Sequence, residues 1–302
     1  MGMLNLFARA TCLAMALPIA GVTCYSVQAV PLLIAQDIQG AETAFQQGLE
    51  LIRQGKLAEA STAFQRAAQL NPKMAAAYYN LGLTLRQQGQ LQPAANAFYQ
   101  AIQADAKFAL AYANLGAALL EGNNPDQASG YLQRAVELDP NLGLAYYNLG
   151  LVQEQQGKLD QALTNYQKAR TLLTNAPEPI YHIGVIYQRQ GKINQALEAF
   201  RQAVQINPKY PEAQYSLGSI LFERGDLDGA LGAFRQAAEA NSNYANAYYG
   251  AGLVFINQRR FNDASQVLQY AKDLYTAQGN PEWAARADQQ LRLAKSQGNL
   301  PQ

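Results

Sequence analysis

GLAYYNLGLVQEQQGKLDQALTNYQKA, residues Gly143 to Ala169, is the stretch from which the whole chain can be read. Its apolar positions recur at three- and four-residue spacing over Leu144 to Gln155 and again over Leu159 to Leu172, with Gln156-Gly157-Lys158 between them. That pattern predicts two amphipathic helices joined by a tight turn. Shifted by 34 residues, the sequence aligns Gly48, Gly82, Gly116, Gly150, Gly184, Gly218 and Gly252. Two alanine columns keep the same step, one from Ala60 to Ala264 through Ala162, the other from Ala67 to Ala271 through Ala169. A fixed period with unbroken columns is the signature of a repeat array.

Seven units therefore follow one another without insertion: 41–74, 75–108, 109–142, 143–176, 177–210, 211–244 and 245–278. Glycine recurs at the turn in Gly55, Gly89, Gly157, Gly191 and Gly225, where a left-handed residue can close a helix. The third unit shifts it to Gly122 and the seventh has Arg259. Numbered from the start of each unit, positions 4, 7, 8 and 11 of the first helix are expected to face the stack; in unit four these are Tyr146, Leu149, Gly150 and Gln153. The second helix carries a large apolar residue between its alanines: Phe64, Phe98, Leu132, Tyr166, Phe200, Phe234 and Leu268. One such hairpin cannot bury these faces alone, so stability becomes a sum of nearest-neighbour terms.

The 34-residue period, the YNLG element at Tyr79 to Gly82 and Tyr147 to Gly150, the alanine and aromatic columns and Pro72, Pro140 and Pro208 together resemble tetratricopeptide repeats. The resemblance implies an all-α fold, a right-handed superhelical solenoid of seven helix-turn-helix repeats closed by a C-terminal capping helix. Departures are local: Gln47 for the usual leucine, Gln153 for a large apolar residue, and Ala106, Thr174 and Ser242 for the terminal proline.

Residues 1–36 have a different composition. No charge follows Arg9 until Asp37, and the run between is rich in Leu, Ala, Val and Ile. A basic start, an apolar centre and small residues at Val27 and Ala29 fit a secretory signal cut after Ala29, with a second cut possible after Ala35. Retained, residues 10–35 are long enough to anchor the chain in a bilayer. Either way the repeats are expected outside the cytoplasm, in a periplasm or an equivalent lumen. Cys12 and Cys24 both lie in this leader, and Gly21 and Thr23 suit a lipidation site at Cys24 poorly. With the leader removed, disulfides, thiolate metal sites and cysteine nucleophiles are all excluded.

After the last unit, residues 279–302 are expected to form one capping helix over about Glu282 to Lys295 and a short tail. Trp283, Ala287, Leu291 and Ala294 share a face that would cover the last hairpin, which makes Trp283 a packing residue. A net charge of +1 with 15% charged residues provides no basic field for nucleic acid. A single histidine, no glycine-rich phosphate loop and no suitably spaced acid pair leave nothing from which to assemble a catalytic centre or a metal or cofactor site.

Function must then lie in a surface. Positions 2, 5, 6 and 9 of each first helix point away from the expected stack face, yet they carry tyrosines, aliphatics and amides. The candidate groove residues are Tyr79, Asn80, Leu83, Asn114, Leu144, Tyr147, Asn148, Leu151, Tyr181, His182, Tyr215 and Tyr249. Such a stripe suits a peptide segment or helix of a client protein. The resemblance also implies that lysines and arginines on this wall would grip a C-terminal carboxylate in some members; here those places hold Phe45, Leu49, Asn80, Leu110 and Asn114, so that clamp is missing. The expectation is a non-enzymatic scaffold, exported or membrane-tethered, that works during assembly of an envelope or membrane complex. Alternatives are a module of envelope polysaccharide export, or an assembly factor for a photosynthetic membrane complex.

Overall fold

The structure is a computed structural model that describes residues 29–298, with side chains from residue 37 onward. The expected signal or anchor therefore lies almost wholly outside the described residues. Fifteen helices and no strand make up the described chain. They pair as α1 (Ala29–Arg53) with α2 (Leu57–Leu70), α3 (Ala75–Gln87) with α4 (Leu91–Ala104), α5 (Ala109–Glu121) with α6 (Pro125–Leu138), and α7 (Gly143–Gln155) with α8 (Leu159–Leu172). Three more pairs follow: α9 (Glu178–Arg189) with α10 (Ile193–Ile206), α11 (Pro211–Glu223) with α12 (Leu227–Ala240), and α13 (Ala245–Asn257) with α14 (Phe261–Ala277). The last helix, α15 (Pro281–Gly298), packs on α14 and α13, and Ala287, Leu291 and Ala294 form its buried stripe. No helix among the described residues is long and apolar enough to cross a membrane.

Each helix packs on the next in sequence, and successive first helices also touch, as α5 does α7 and α11 does α13. A first helix thus has neighbours on three sides, which changes the expected burial. Positions 4 and 11 are only half-buried in unit four, whereas Ala145 and Val152, at positions 3 and 10, are sealed. The glycine column has a direct cause: a Cβ on Gly150 would lie 2.6 Å from the Tyr166 ring of its own hairpin, and one on Gly82 would lie 2.6 Å from Phe98. The first helix is close enough to rest on that ring only because the side chain is missing.

Helix ends follow from two further columns. The residue after the second helix is Asn71, Asp105, Asp139, Asn207 or Asn241, whose side-chain oxygen accepts from the N–H two residues on at 2.9 to 3.1 Å. This small turn holds the backbone extended and stops the helix. Tyr275 occupies that place in the last unit, and α14 runs on to Ala277. In the third unit the left-handed turn residue is Asn123 (φ 59°), one place after the glycine that the sequence suggests, and Gly122 is not left-handed. Asparagine tolerates this region better than other side chains. The helix that opens the array also differs from the 34-residue register, since α1 continues back to Ala29.

Polar latches tie neighbouring units. Gln156 donates to Asp126 at 3.0 Å, Gln190 to Asp160 at 3.3 Å and Gln258 to Asp228 at 3.2 Å, while Arg224 donates to Asn194. Each joins the end of a first helix to the start of the second helix one unit earlier, thirty residues back. Among the described residues no side-chain hydrogen bond links the first unit to the second, and Gln88 Nε2 is buried without a partner.

Candidate functional site

The tyrosines at position 5 form a ladder of rings. Tyr79 rests 5.8 Å from Phe98, Tyr147 6.0 Å from Tyr166, Tyr181 5.7 Å from Phe200 and Tyr215 5.7 Å from Phe234, each on the ring of its own second helix. A second set of rings comes from the last position of the units. Phe108 lies 4.9 Å from Tyr79, Tyr210 5.2 Å from Tyr181 and Tyr244 5.8 Å from Tyr215. The sequence reading missed this set, although the column is visible at the same 34-residue step. At the C-terminal end Tyr249 meets Trp283 edge-on at 5.6 Å, and Trp283 stacks on Tyr275, so the indole is a packing residue.

These phenols are half-buried, and burial pushes their acidities down. Tyr147 is raised to about 12, by burial first and then by the Glu178 and Glu154 charges. Tyr79, Tyr181 and Tyr249 are raised by burial as well. Leu83 and Leu151 pack beside the ladder, and Leu144 is half-buried next to Tyr147. Leu110, at the equivalent of Leu144 one unit earlier, is 39% exposed.

Position 6 behaves differently from the rest of the expected wall. Asn114 is 4% exposed and Asn148 6%. Asn114 Nδ2 donates to the Tyr79 hydroxyl at 3.2 Å and to the Leu110 carbonyl at 2.9 Å, and its Oδ1 lies 3.5 Å from the Arg86 guanidinium, which also pairs with Glu121. Asn80 donates to its own helix, to the Ala76 carbonyl at 2.8 Å. Position 6 thus faces positions 5 and 12 of the preceding unit. For Asn148 those places hold Ala113 and Leu120, and its buried Nδ2 has no partner.

His182 is the position-6 residue of unit five, and it closes a network the sequence did not reveal. Its Nδ1 lies 2.9 Å from Glu154 Oε2, its ring stacks on Tyr166 at 5.0 Å, and it meets Tyr147 edge-on at 5.9 Å. The Tyr166 hydroxyl donates to the same Glu154 oxygen at 2.8 Å, and Arg189 reaches the other at 3.1 Å. Burial of Glu154, whose side chain is 12% exposed, works to raise its pKa. The hydrogen bonds from His182 and Tyr166, with the charges of His182 and Arg189, outweigh burial and hold the carboxyl below its usual range. Tyr166 is the one phenol in a column of Phe and Leu, so its buried hydroxyl needs an acceptor, and Glu154 provides it. Gln153, half-buried where a large apolar residue was expected, has its carbonyl oxygen satisfied similarly, by Asn165 donating to it at 2.7 Å. Among the described residues no group of His, Cys, Asp and Glu is placed to hold a metal ion.

Comparisons with known proteins agree with this architecture. Residues 34–251 match the family model described as the cilia and flagella-associated protein 70 C-terminal domain, and residues 223–281 match a tetratricopeptide repeat model. Among solved structures, YrrB, described as a tetratricopeptide repeat protein with an unusual peptide-binding site, is 27% identical over 65% of this chain and 99% of its own, with a TM-score of 0.50. The MamA protein is 25% identical over 57% of this chain and 93% of its own, also at 0.50. The pilF protein of Pseudomonas aeruginosa, 20% identical over 70% of this chain and 96% of its own at a TM-score of 0.62, shares the fold. No protein of curated function matches the chain in sequence.

Proposed function

Because the chain belongs to the tetratricopeptide repeat family, we propose that it is a non-enzymatic scaffold whose first-helix wall binds a segment of another protein. The observation that carries this reading is the tyrosine ladder: five half-buried phenol rings, Tyr79 on α3 and Tyr147, Tyr181, Tyr215 and Tyr249 on the four first helices from α7 to α13, with Ala113 in their place on α5 and aliphatics between them. Rings held on other rings have already lost their rotamer freedom, so contact with a partner costs little further ordering. Phenols offer apolar area and a polar tip together, which suits a peptide backbone flanked by side chains. The peptide-binding site named for YrrB supports the same use of the fold. The position-6 groups Asn114 and His182 act in this reading as braces that set the spacing of the tyrosines.

The scaffold is exported or membrane-tethered in this proposal, on the strength of Arg9 and the uncharged run up to Asp37, and it takes part in assembling an envelope or membrane complex. The test is site-specific photo-crosslinking in the native host. A benzophenone side chain at Leu110, 39% exposed beside the ladder, should capture a discrete protein that the same probe at Tyr99, 43% exposed on a second helix, does not. Capture of polysaccharide at Leu110, or equal capture at both positions, would overturn the reading. Fractionation of the same cells tests export: chain recovered wholly in the cytoplasm would refute it.

A further inference from the structure

Resting on the reading that this wall binds a peptide segment, we infer that the groove between Tyr147, Tyr181, Tyr210 and Tyr244 receives a lysine or arginine side chain of that segment, with Glu178 and Glu212 as counter-ions. Both acids stand at position 2 of their units. Glu178 precedes Tyr181 by three residues on α9 and Glu212 precedes Tyr215 by three on α11, so each carboxylate shares a helix face with a ladder tyrosine. In units two to four the same place is apolar: Ala76, Leu110 and Leu144. Between units two and six the wall therefore changes from aliphatic to acidic at unit five, while units one and seven have Glu42 and Asn246 at the same place.

Glu178 and Glu212 are half-buried, and among the described residues neither has an ion-pair or side-chain hydrogen-bond partner. The third acid of this section, Glu154, is instead saturated by His182, Tyr166 and Arg189. After burial, which comes first for each of these phenols, Glu178 acts on Tyr147 and Tyr210, and Glu212 on Tyr181, Tyr210 and Tyr244, with Arg189 opposing at Tyr181. Two carboxylates without cations, set among tyrosine rings 5.2 and 5.8 Å from their neighbours, form a site complementary to an organic cation. Ring faces attract a lysine or arginine head, and the carboxylates add charge-assisted hydrogen bonds. The bound segment then has apolar residues over units two to four and its basic residue over units five and six.

The test is selection of a displayed library of random dodecapeptides on the full-length chain, followed by binding of the enriched peptides as synthetic probes. Groove binding is scored by crosslinking to a benzophenone at Leu110. The expected result is enrichment of a lysine or arginine flanked by apolar residues. Affinity should fall at least tenfold in Glu178→Gln/Glu212→Gln and lose its salt dependence, with the unfolding midpoint unchanged. Peptides that crosslink at Leu110 but show no basic preference, or bind the double variant equally, would overturn the cation site and leave the groove reading intact. If no enriched peptide crosslinks at Leu110, both fall.

Discussion

Gln88 stands thirty residues after Ala58, the step that carries Gln156 to Asp126, and its buried Nε2 is left without a hydrogen-bond partner. The first latch of the series is therefore missing one half.

Ala58→Asp should complete it and raise stability by about 1 kcal/mol, the usual net value of one hydrogen bond. The new carboxylate also lies in the first turn of α2, where the helix dipole favours it. Urea unfolding of Ala58→Asp alone and in a Gln88→Ala background separates the two effects, because the dipole gain survives the second change and the latch does not.

The glycine column makes a paired prediction. Gly150→Ala places a Cβ 2.6 Å from the fully buried Tyr166 ring and should cost about 1 to 3 kcal/mol, as overpacking does. Gly130, inside α6, has open space where a methyl group would go, with nothing within 4 Å, so Gly130→Ala should gain up to about 1 kcal/mol from helix propensity. Thermal unfolding of the two variants should move in opposite directions.

Acid should find Glu154. Its folded carboxyl lies below the ordinary 4.5, so its contribution to stability is complete above that value and is lost as pH falls through the lower folded one. Glu154→Gln should lower stability at pH 7 by about 2 kcal/mol, since it leaves the Tyr166 hydroxyl and the His182 and Arg189 donors without a carboxylate. The gap between variant and parent should close as denaturation is repeated towards pH 3.

Alkali should find Tyr147. With its folded pKa raised from 10.0 to about 12, the unfolded chain ionises first, so the tyrosine's share of stability is complete below pH 10 and is lost as pH rises to about 12. Tyr147→Phe should flatten the fall in stability across that window, and ultraviolet titration should lose one late-ionising phenol.

The fold was legible because it rests on columns: glycine against ring, alanine against alanine, turn residue against turn. Each column recurs at the 34-residue step, with Leu132 and Leu268 replacing the ring and Asn123 and Arg259 replacing the turn glycine in units three and seven, so the period alone exposes it. The groove was legible only where it follows a column, as the tyrosines at position 5 do. Asn114 and His182 look open from their own helices, whereas their partners Tyr79 and Glu154 sit on the preceding unit, and Asn148 is buried at the same place without a partner for its Nδ2. The Glu154 network lay further from view, since Tyr166, Glu154 and His182 belong to three different columns and the histidine joins the other two from the next unit. Glu178 and Glu212 were equally hidden, because an acid at position 2 differs from Ala76, Leu110 and Leu144 in charge without disturbing the repeat.

The unequal latching of the units has a mechanical consequence. Among the described residues no side-chain hydrogen bond or ion pair crosses the junction between units one and two, whereas the junction between units four and five has Gln190 to Asp160 and the paired grip of His182 and Arg189 on Glu154. Pulled from its two ends, the chain should not extend as a uniform spring. The first hairpin should peel away at the lowest force, and the middle of the tyrosine wall should be the last part to lose its shape.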